Sequence, residues 1–163
     1  DSRAMKDVTI TVNGEAIKAR LEPRLTLADF LRDHRRLTGT HLGCEQGACG
    51  TCTVLLANEP VRACLVFAVA CDGQHVQSIE GFADDSVMES LRIAFKEEHA
   101  LQCGFCTPGM LVTARDIVLR SKDDDEKRVR TELAGNLCRC TGYMGIVSAV
   151  RRVIRERLAH ARA

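Results

Sequence analysis

"GCEQGACGTC", residues 43–52, places cysteines at 44, 49 and 52 in a run that also holds three glycines. The run fits neither the 3.6-residue period of a helix nor the alternation of a strand, so it reads as a loop. A fourth thiol, Cys64, follows Cys52 after eleven intervening residues. A loop that presents three sulfurs to one small centre needs little side-chain bulk between them, and Gly43, Gly47 and Gly50 meet that need. Glycine also tolerates positive φ and lets backbone N–H groups approach the sulfurs of an anionic centre. A four-cysteine zinc site is the alternative. Zinc knuckles use paired C-x2-C units, which the C-x4-C element and its glycines fit poorly.

The C-x4-C-x2-C spacing is that of plant-type ferredoxins, in which four thiolates hold a [2Fe–2S] cluster. The flanks suit a small mixed sheet. "VTITVNGEAIKARL" (8–21) alternates apolar and polar residues around Asn13-Gly14, the favoured two-residue hairpin turn. "TLADFLRDH" (26–34) has Thr26 as a candidate N-cap and Leu27, Phe30 and Leu31 on one helical face. "TVLLAN" (53–58) and "HVQSIEG" (75–81) read as further strands on either side of "EPVRACLVFAV". Four strands and a helix up to Gly81 make a β-grasp-like unit.

After Asp84-Asp85-Ser86 the texture becomes helical. Val87, Leu91, Ala94 and Phe95 recur at helical spacing. Thr107 and Pro108 mark a second start, as N-cap and first helical residue. "EKRVRTELAG" (126–135) and "MGIVSAVRRVIRERL" (144–158) are two more amphipathic helices. "SKDDDEK" (121–127) reads as a solvated charged connection. The fold class is therefore α+β. A β-grasp, ferredoxin-like domain over 5–82 is followed by a four-helix domain over 83–163.

The helical half has its own thiols: Cys103 and Cys106 in "CGFC", and Cys138 and Cys140 in "GNLCRCTG" (135–142). A disulfide between Cys138 and Cys140 is disfavoured, because side chains two apart on a helix diverge and a disulfide needs converging Cβ vectors. Each can instead join one "CGFC" thiolate on a different iron. Both pairs precede helix starts, whose positive ends favour thiolate. From spacing alone a second [2Fe–2S] site and a zinc site both stay open.

Composition narrows the classes. The 163 residues carry 23 basic and 22 acidic side chains, no Trp and one Tyr, so a basic, aromatic-laced nucleic-acid surface has no support. The longest apolar stretch, "ACLVFAVAC" (63–71), is too short for a membrane helix, and the first twenty residues lack an apolar signal core. Nine cysteines without such a signal point to metal or redox chemistry in a reducing, cytoplasmic setting. Residues before Met5 are read as a tag remnant or a processed end.

"GCEQGACGTC", "LQCGFCTPGM" (101–110) and "GNLCRCTGY" (135–143), in this order, resemble the small iron–sulfur subunit of the molybdenum hydroxylases. That family includes xanthine oxidase, aldehyde oxidoreductase and aerobic carbon monoxide dehydrogenase. The resemblance runs from about Val8 to about Leu158, with no departure at the motif cysteines or glycines. It implies two [2Fe–2S] clusters: one on Cys44, Cys49, Cys52 and Cys64, one on Cys103, Cys106, Cys138 and Cys140. It implies an electron-transfer role, with the second cluster nearer a molybdopterin cofactor and the first toward a flavin. It places molybdopterin, in its cytosine dinucleotide form, on a large partner subunit, and FAD on a medium one. It also implies that Gln102 and Cys140 contact the pterin.

Other residues weigh less. Cys71 lies outside both sets and reads as a buried apolar thiol. The five histidines form no metal-ligand spacing, and Tyr143 and Met144 read as packing for the last helix. Arg139 is read equally as a tuning or a solvated residue. Two rival functions remain: a free-standing two-cluster ferredoxin shuttle, which the lack of net acidity disfavours, and a zinc-stabilised interaction module, which would be colourless.

Overall fold

The computed structural model describes residues 5–161, so the leading residues set aside above lie outside it. Strands β1 (Lys6–Val12) and β2 (Glu15–Leu21) form the expected hairpin, with Lys6 opposite Leu21 and Val12 opposite Glu15. Asn13 and Gly14 both have positive φ, 49° and 87°. That is the turn whose twist matches the flanking strands. Val8, Ile10 and Val12 face the core.

Thr26 caps the short helix α1 (Leu27–Asp29), its hydroxyl accepting the N–H of Asp29. The expected helix then continues as a wider π turn over Phe30–His34. Together they bury Leu27, Ala28, Phe30 and Leu31. Strands β3 (Thr53–Leu56), β4 (Glu59–Arg62) and β5 (His75–Gln77) complete a sheet of order β2-β1-β5-β3-β4, in which β1 and β5 pair in parallel. Strand β4 was not expected. Its turn, Ala57-Asn58, holds both residues at positive φ without a glycine, and Pro60 argues against a strand. β4 lies at the sheet edge, where a proline is tolerated.

The second half holds four helices, α2 (Ser86–Glu97), α3 (Thr107–Arg120), α4 (Glu126–Leu133) and α5 (Met144–His160). The N-cap of α3 is Cys106, not Thr107. Thr107 is already helical, and Pro108 is accommodated in the same first turn. The 121–127 connection is anchored rather than merely solvated. Asp125 caps α4 by accepting the N–H of Arg128, and Asp124 pairs with Arg151 and Arg155 on α5.

One core forms under the sheet, around Ile10, Phe30, Leu31 and Val54. The other forms between the helices, around Leu91, Phe95, Met110 and Ile146, and also takes Leu55 of β3. Backbone and side-chain hydrogen bonds both cross the seam between the two halves. The N–H of Leu137 donates to the carbonyl of Cys49 at 2.8 Å. Asn136, 2% exposed, donates to the carbonyls of Gly50 and Gly109 at 3.0 and 3.3 Å. No helix among the described residues is long and apolar enough to cross a membrane.

Candidate iron–sulfur centres

Cys44 and Cys49 sit on the loop between α1 and β3, Cys52 at the foot of β3, and Cys64 in the 3-10 turn Ala63–Leu65. The N–H groups of Gln46 and Cys49 point at Cys44 Sγ, at 3.5 and 3.3 Å. These amides stabilise the thiolate and bring the Cys44 pKa down to about 6. Burial instead pushes Cys52 up to about 11. The thiols come in pairs, Cys44 hydrogen-bonding with Cys49 and Cys52 with Cys64. Gly50 is at φ 72°, and a Cβ there would run into the Gly135 carbonyl and Asn136. Its lack of a side chain is what lets the first loop meet the second half.

The second set is also paired. Cys140 Sγ lies 3.5 Å from Cys103 Sγ, and Cys106 hydrogen-bonds with Cys138. Turns before α3 and α5 bring the four together. The expectation that both motifs favour thiolate meets a mixed outcome. Burial, with the neighbouring thiols, pushes Cys106 up to about 12. Burial also works against the Cys138 thiolate, but hydrogen bonds from Thr141 and the Cys140 amide outweigh it and lower the pKa.

Two pairs side by side suit a binuclear cluster, in which each iron takes two thiolates and two bridging sulfides. A zinc ion would take all four thiolates around one point. The chemistry and pairing of both donor sets thus fit [2Fe–2S] clusters.

Gln102 is exposed beside Cys103, and its Nε2 donates to the Cys140 carbonyl at 3.1 Å. Cys71 is fully buried in the sheet's core, donates weakly to the Phe67 carbonyl, and is raised to about 11 by burial. Sequence reasoning missed three residues that tie the sites together. Asn136 is one. Arg62 donates to Thr53 Oγ1 at 2.6 Å and to the Gly135 carbonyl at 2.7 Å. The His41 ring stacks on Phe105 with centroids 4.9 Å apart, and its Nδ1 lies 2.8 Å from the Phe105 carbonyl. Only Asn136 left a signal, an amide residue inside a cysteine motif.

Residues 10–83 match the family profile of a 2Fe-2S iron-sulfur cluster binding domain, and residues 78–151 that of a [2Fe-2S] binding domain. The chain is 48% identical over 149 residues to caffeine dehydrogenase subunit gamma of Pseudomonas sp. (strain CBB1), spanning 90% of this chain and 89% of the relative. It is 39% identical over 153 residues to the nicotinate dehydrogenase small FeS subunit of Eubacterium barkeri, spanning 94% and 97%. The crystal structure of quinoline 2-oxidoreductase from Pseudomonas putida 86 superposes on it with a TM-score of 0.88 at 41% identity, covering 98% of this chain and 99% of that one. The chain belongs to the small iron–sulfur subunits of the molybdenum hydroxylases. A subunit of this family is part of an oxidoreductase, and its two [2Fe–2S] domains fit electron transfer. In the aldehyde oxidoreductase of Desulfovibrio desulfuricans ATCC 27774 the same fold is one part of a longer polypeptide. The TM-score is 0.85 at 34% identity, over 95% of this chain but 17% of that one.

Proposed function

We propose that this chain relays electrons inside a cytoplasmic complex, from a large molybdopterin-binding subunit toward a medium FAD-binding subunit. Cys103, Cys106, Cys138 and Cys140 hold the entry cluster, and Cys44, Cys49, Cys52 and Cys64 the exit cluster. A [2Fe–2S] cluster, when bound, takes up and releases one electron at a time. The observation that carries this reading is the seam: the amide beside ligand Cys138 donates directly to the carbonyl of ligand Cys49. The two ligand shells are thus joined by one hydrogen bond and short stretches of backbone.

Partner placement follows from what surrounds the thiols. Leu101, Phe105, Leu137 and Met144 are exposed near the second set, an apolar surface suited to a large partner. Gln102, braced on the Cys140 carbonyl, offers an amide edge that can donate and accept, as a pterin edge requires. Cys140, exposed beside it, supplies a sulfur acceptor. The molybdopterin takes its cytosine dinucleotide form, held with the substrate site by the large subunit. The domains divide near residue 82, where the two family matches overlap and one hydrophobic core gives way to the other.

The test uses the assembled complex, mixed rapidly with substrate and freeze-quenched, each cluster being followed by its paramagnetic signal. Cys49→Ser should leave reduction of the second cluster intact and slow delivery beyond it. Cys106→Ser should keep the first cluster oxidised. An assembled Cys106→Ser complex whose first cluster reduces at the parent rate would reverse or break the proposed order.

A further inference from the structure

Thr141 and Tyr143, which follow Cys138 in the chain, close a ring of hydrogen bonds around it. The Cys138 N–H donates to the Tyr143 phenol oxygen at 2.9 Å. The Tyr143 N–H donates to Thr141 Oγ1 at 3.2 Å. Thr141 Oγ1 in turn donates to Cys138 Sγ at 3.2 Å. The amide N–H groups can only donate, so the Thr141 oxygen accepts from Tyr143; a Cys138 thiolate that ligates iron carries no proton, so the Thr141 hydroxyl is the donor toward its sulfur.

The ring holds an uncommon backbone. Tyr143 sits at φ 67° and ψ −10°, in the left-handed region, where a bulky aromatic residue is an outlier. Such a conformation persists where the surroundings over-determine it. Here it turns the Tyr143 amide back onto Thr141 and brings the phenol over the Cys138 amide. Tyr143 therefore does more than pack helix α5. It engages the Cys138 amide and fixes where the Thr141 proton points.

We propose that Thr141 sets the reduction potential of the second cluster through its hydroxyl hydrogen bond to Cys138 Sγ, with Tyr143 as the positioning residue that aims it. The inference rests on the reading of Cys138 as a cluster ligand. Reduction adds one electron to the cluster, and part of the added charge resides on the thiolate sulfurs. A donor aimed at one of those sulfurs stabilises the reduced form more than the oxidised one, and so raises the potential. The hydrogen bond is made within the "CRCTGY" turn itself, so it is built into the same turn that supplies two ligands.

The test is a redox titration of the purified holo-complex, with both clusters followed by their paramagnetic signals. Thr141→Val keeps the shape and removes the donor. It should lower the second cluster's midpoint, changing the oxidised-to-reduced ratio at fixed potential about tenfold, equivalent to about 59 mV for one electron. The first cluster is the internal control and should stay at the parent midpoint. Thr141→Ala, which adds no bulk, should shift the second cluster the same way. Thr141→Ser keeps the hydroxyl and should restore the parent value. A parent midpoint in the Val or Ala variant, or a shifted midpoint in the Ser variant, overturns the inference. Failure of the underlying ligand reading is separately visible. Cys138→Ser would then leave iron, labile sulfide and the second paramagnetic signal as in the parent.

Discussion

Cys71 and Cys138 sit in contrasting surroundings, one apolar and the other lined by hydrogen-bond donors. Cys71 is fully buried among apolar side chains, with the Phe67 carbonyl as its weak acceptor. Cys138 is half-buried and surrounded by donors that favour the thiolate. Cys71→Ala should therefore leave iron and labile sulfide unchanged and cost on the order of 1 kcal/mol. Its pH dependence has a definite sign. Burial raises the folded-state pKa of Cys71 from 9.0 to about 11. The unfolded chain then loses this proton first, so its contribution to stability is present below pH 9.0 and is lost as pH rises toward about 11. Chemical unfolding at pH 7 and at pH 10, followed by circular dichroism, should show a smaller alkaline loss in the Ala variant than in the parent. Loss of either cluster's paramagnetic signal in that variant would make Cys71 a ligand.

At the scale of elements, Asp85 ties two helices together. It caps α2 through the Met88 N–H at 2.7 Å and takes Arg115 of α3 at 2.6 and 2.9 Å. Arg115 also lies 5.0 Å from the centroid of the Phe82 ring. Burial works against the Asp85 carboxylate, but Arg115 and the helix amides more than offset it, and its pKa is lowered. This stability is present above the unfolded value of 3.8 and is lost as pH falls through the depressed folded value. Asp85→Asn, which retains a capping oxygen, should destabilise less than Asp85→Ala. The Ala variant should lose about 0.5–2 kcal/mol from the cap alone. If unfolding experiments rank the two equally, the cap contributes nothing separate from the ion pair. The α2 helix was legible in the sequence because its apolar residues recur at helical spacing, and α3 because Thr107-Pro108 marks a helix start. The β1–β2 hairpin was legible because Asn-Gly dictates its turn. Strand β4 was not, since Ala57-Asn58 carries no such mark and Pro60 speaks against a strand until the edge position is known. The π turn at Phe30–His34 was equally hidden, because it buries the same Phe30 and Leu31 that an α-helix would.

Across the whole molecule, the cysteine spacing reveals two sites but not how they meet. The first loop and the "GNLCRCTG" turn are 86 residues apart at the Gly50–Asn136 contact, a separation no local pattern reports. Asn136 is the keystone of that contact. Its Nδ2 reaches the carbonyls of Gly50 and Gly109, and its Oδ1 accepts the Thr113 hydroxyl at 3.0 Å. Removing the amide strands buried acceptors, at about 1–3 kcal/mol for each group left unsatisfied. Asn136→Ala should therefore cost about 3 kcal/mol or more, well beyond an ordinary surface change. Asn136→Asp has nearly the same size but replaces the donor with a carboxylate oxygen facing two carbonyls. It should be no better than Ala, and it separates hydrogen bonding from simple filling of space. The Leu137–Cys49 bond depends on the same neighbour, so loosening Asn136 should also slow passage of an electron between the clusters while both remain assembled. Thermal unfolding and freeze-quench reduction of the two variants give the two readouts. A variant with parent stability and a parent rate at the first cluster would mean that Asn136 fills the seam without holding it.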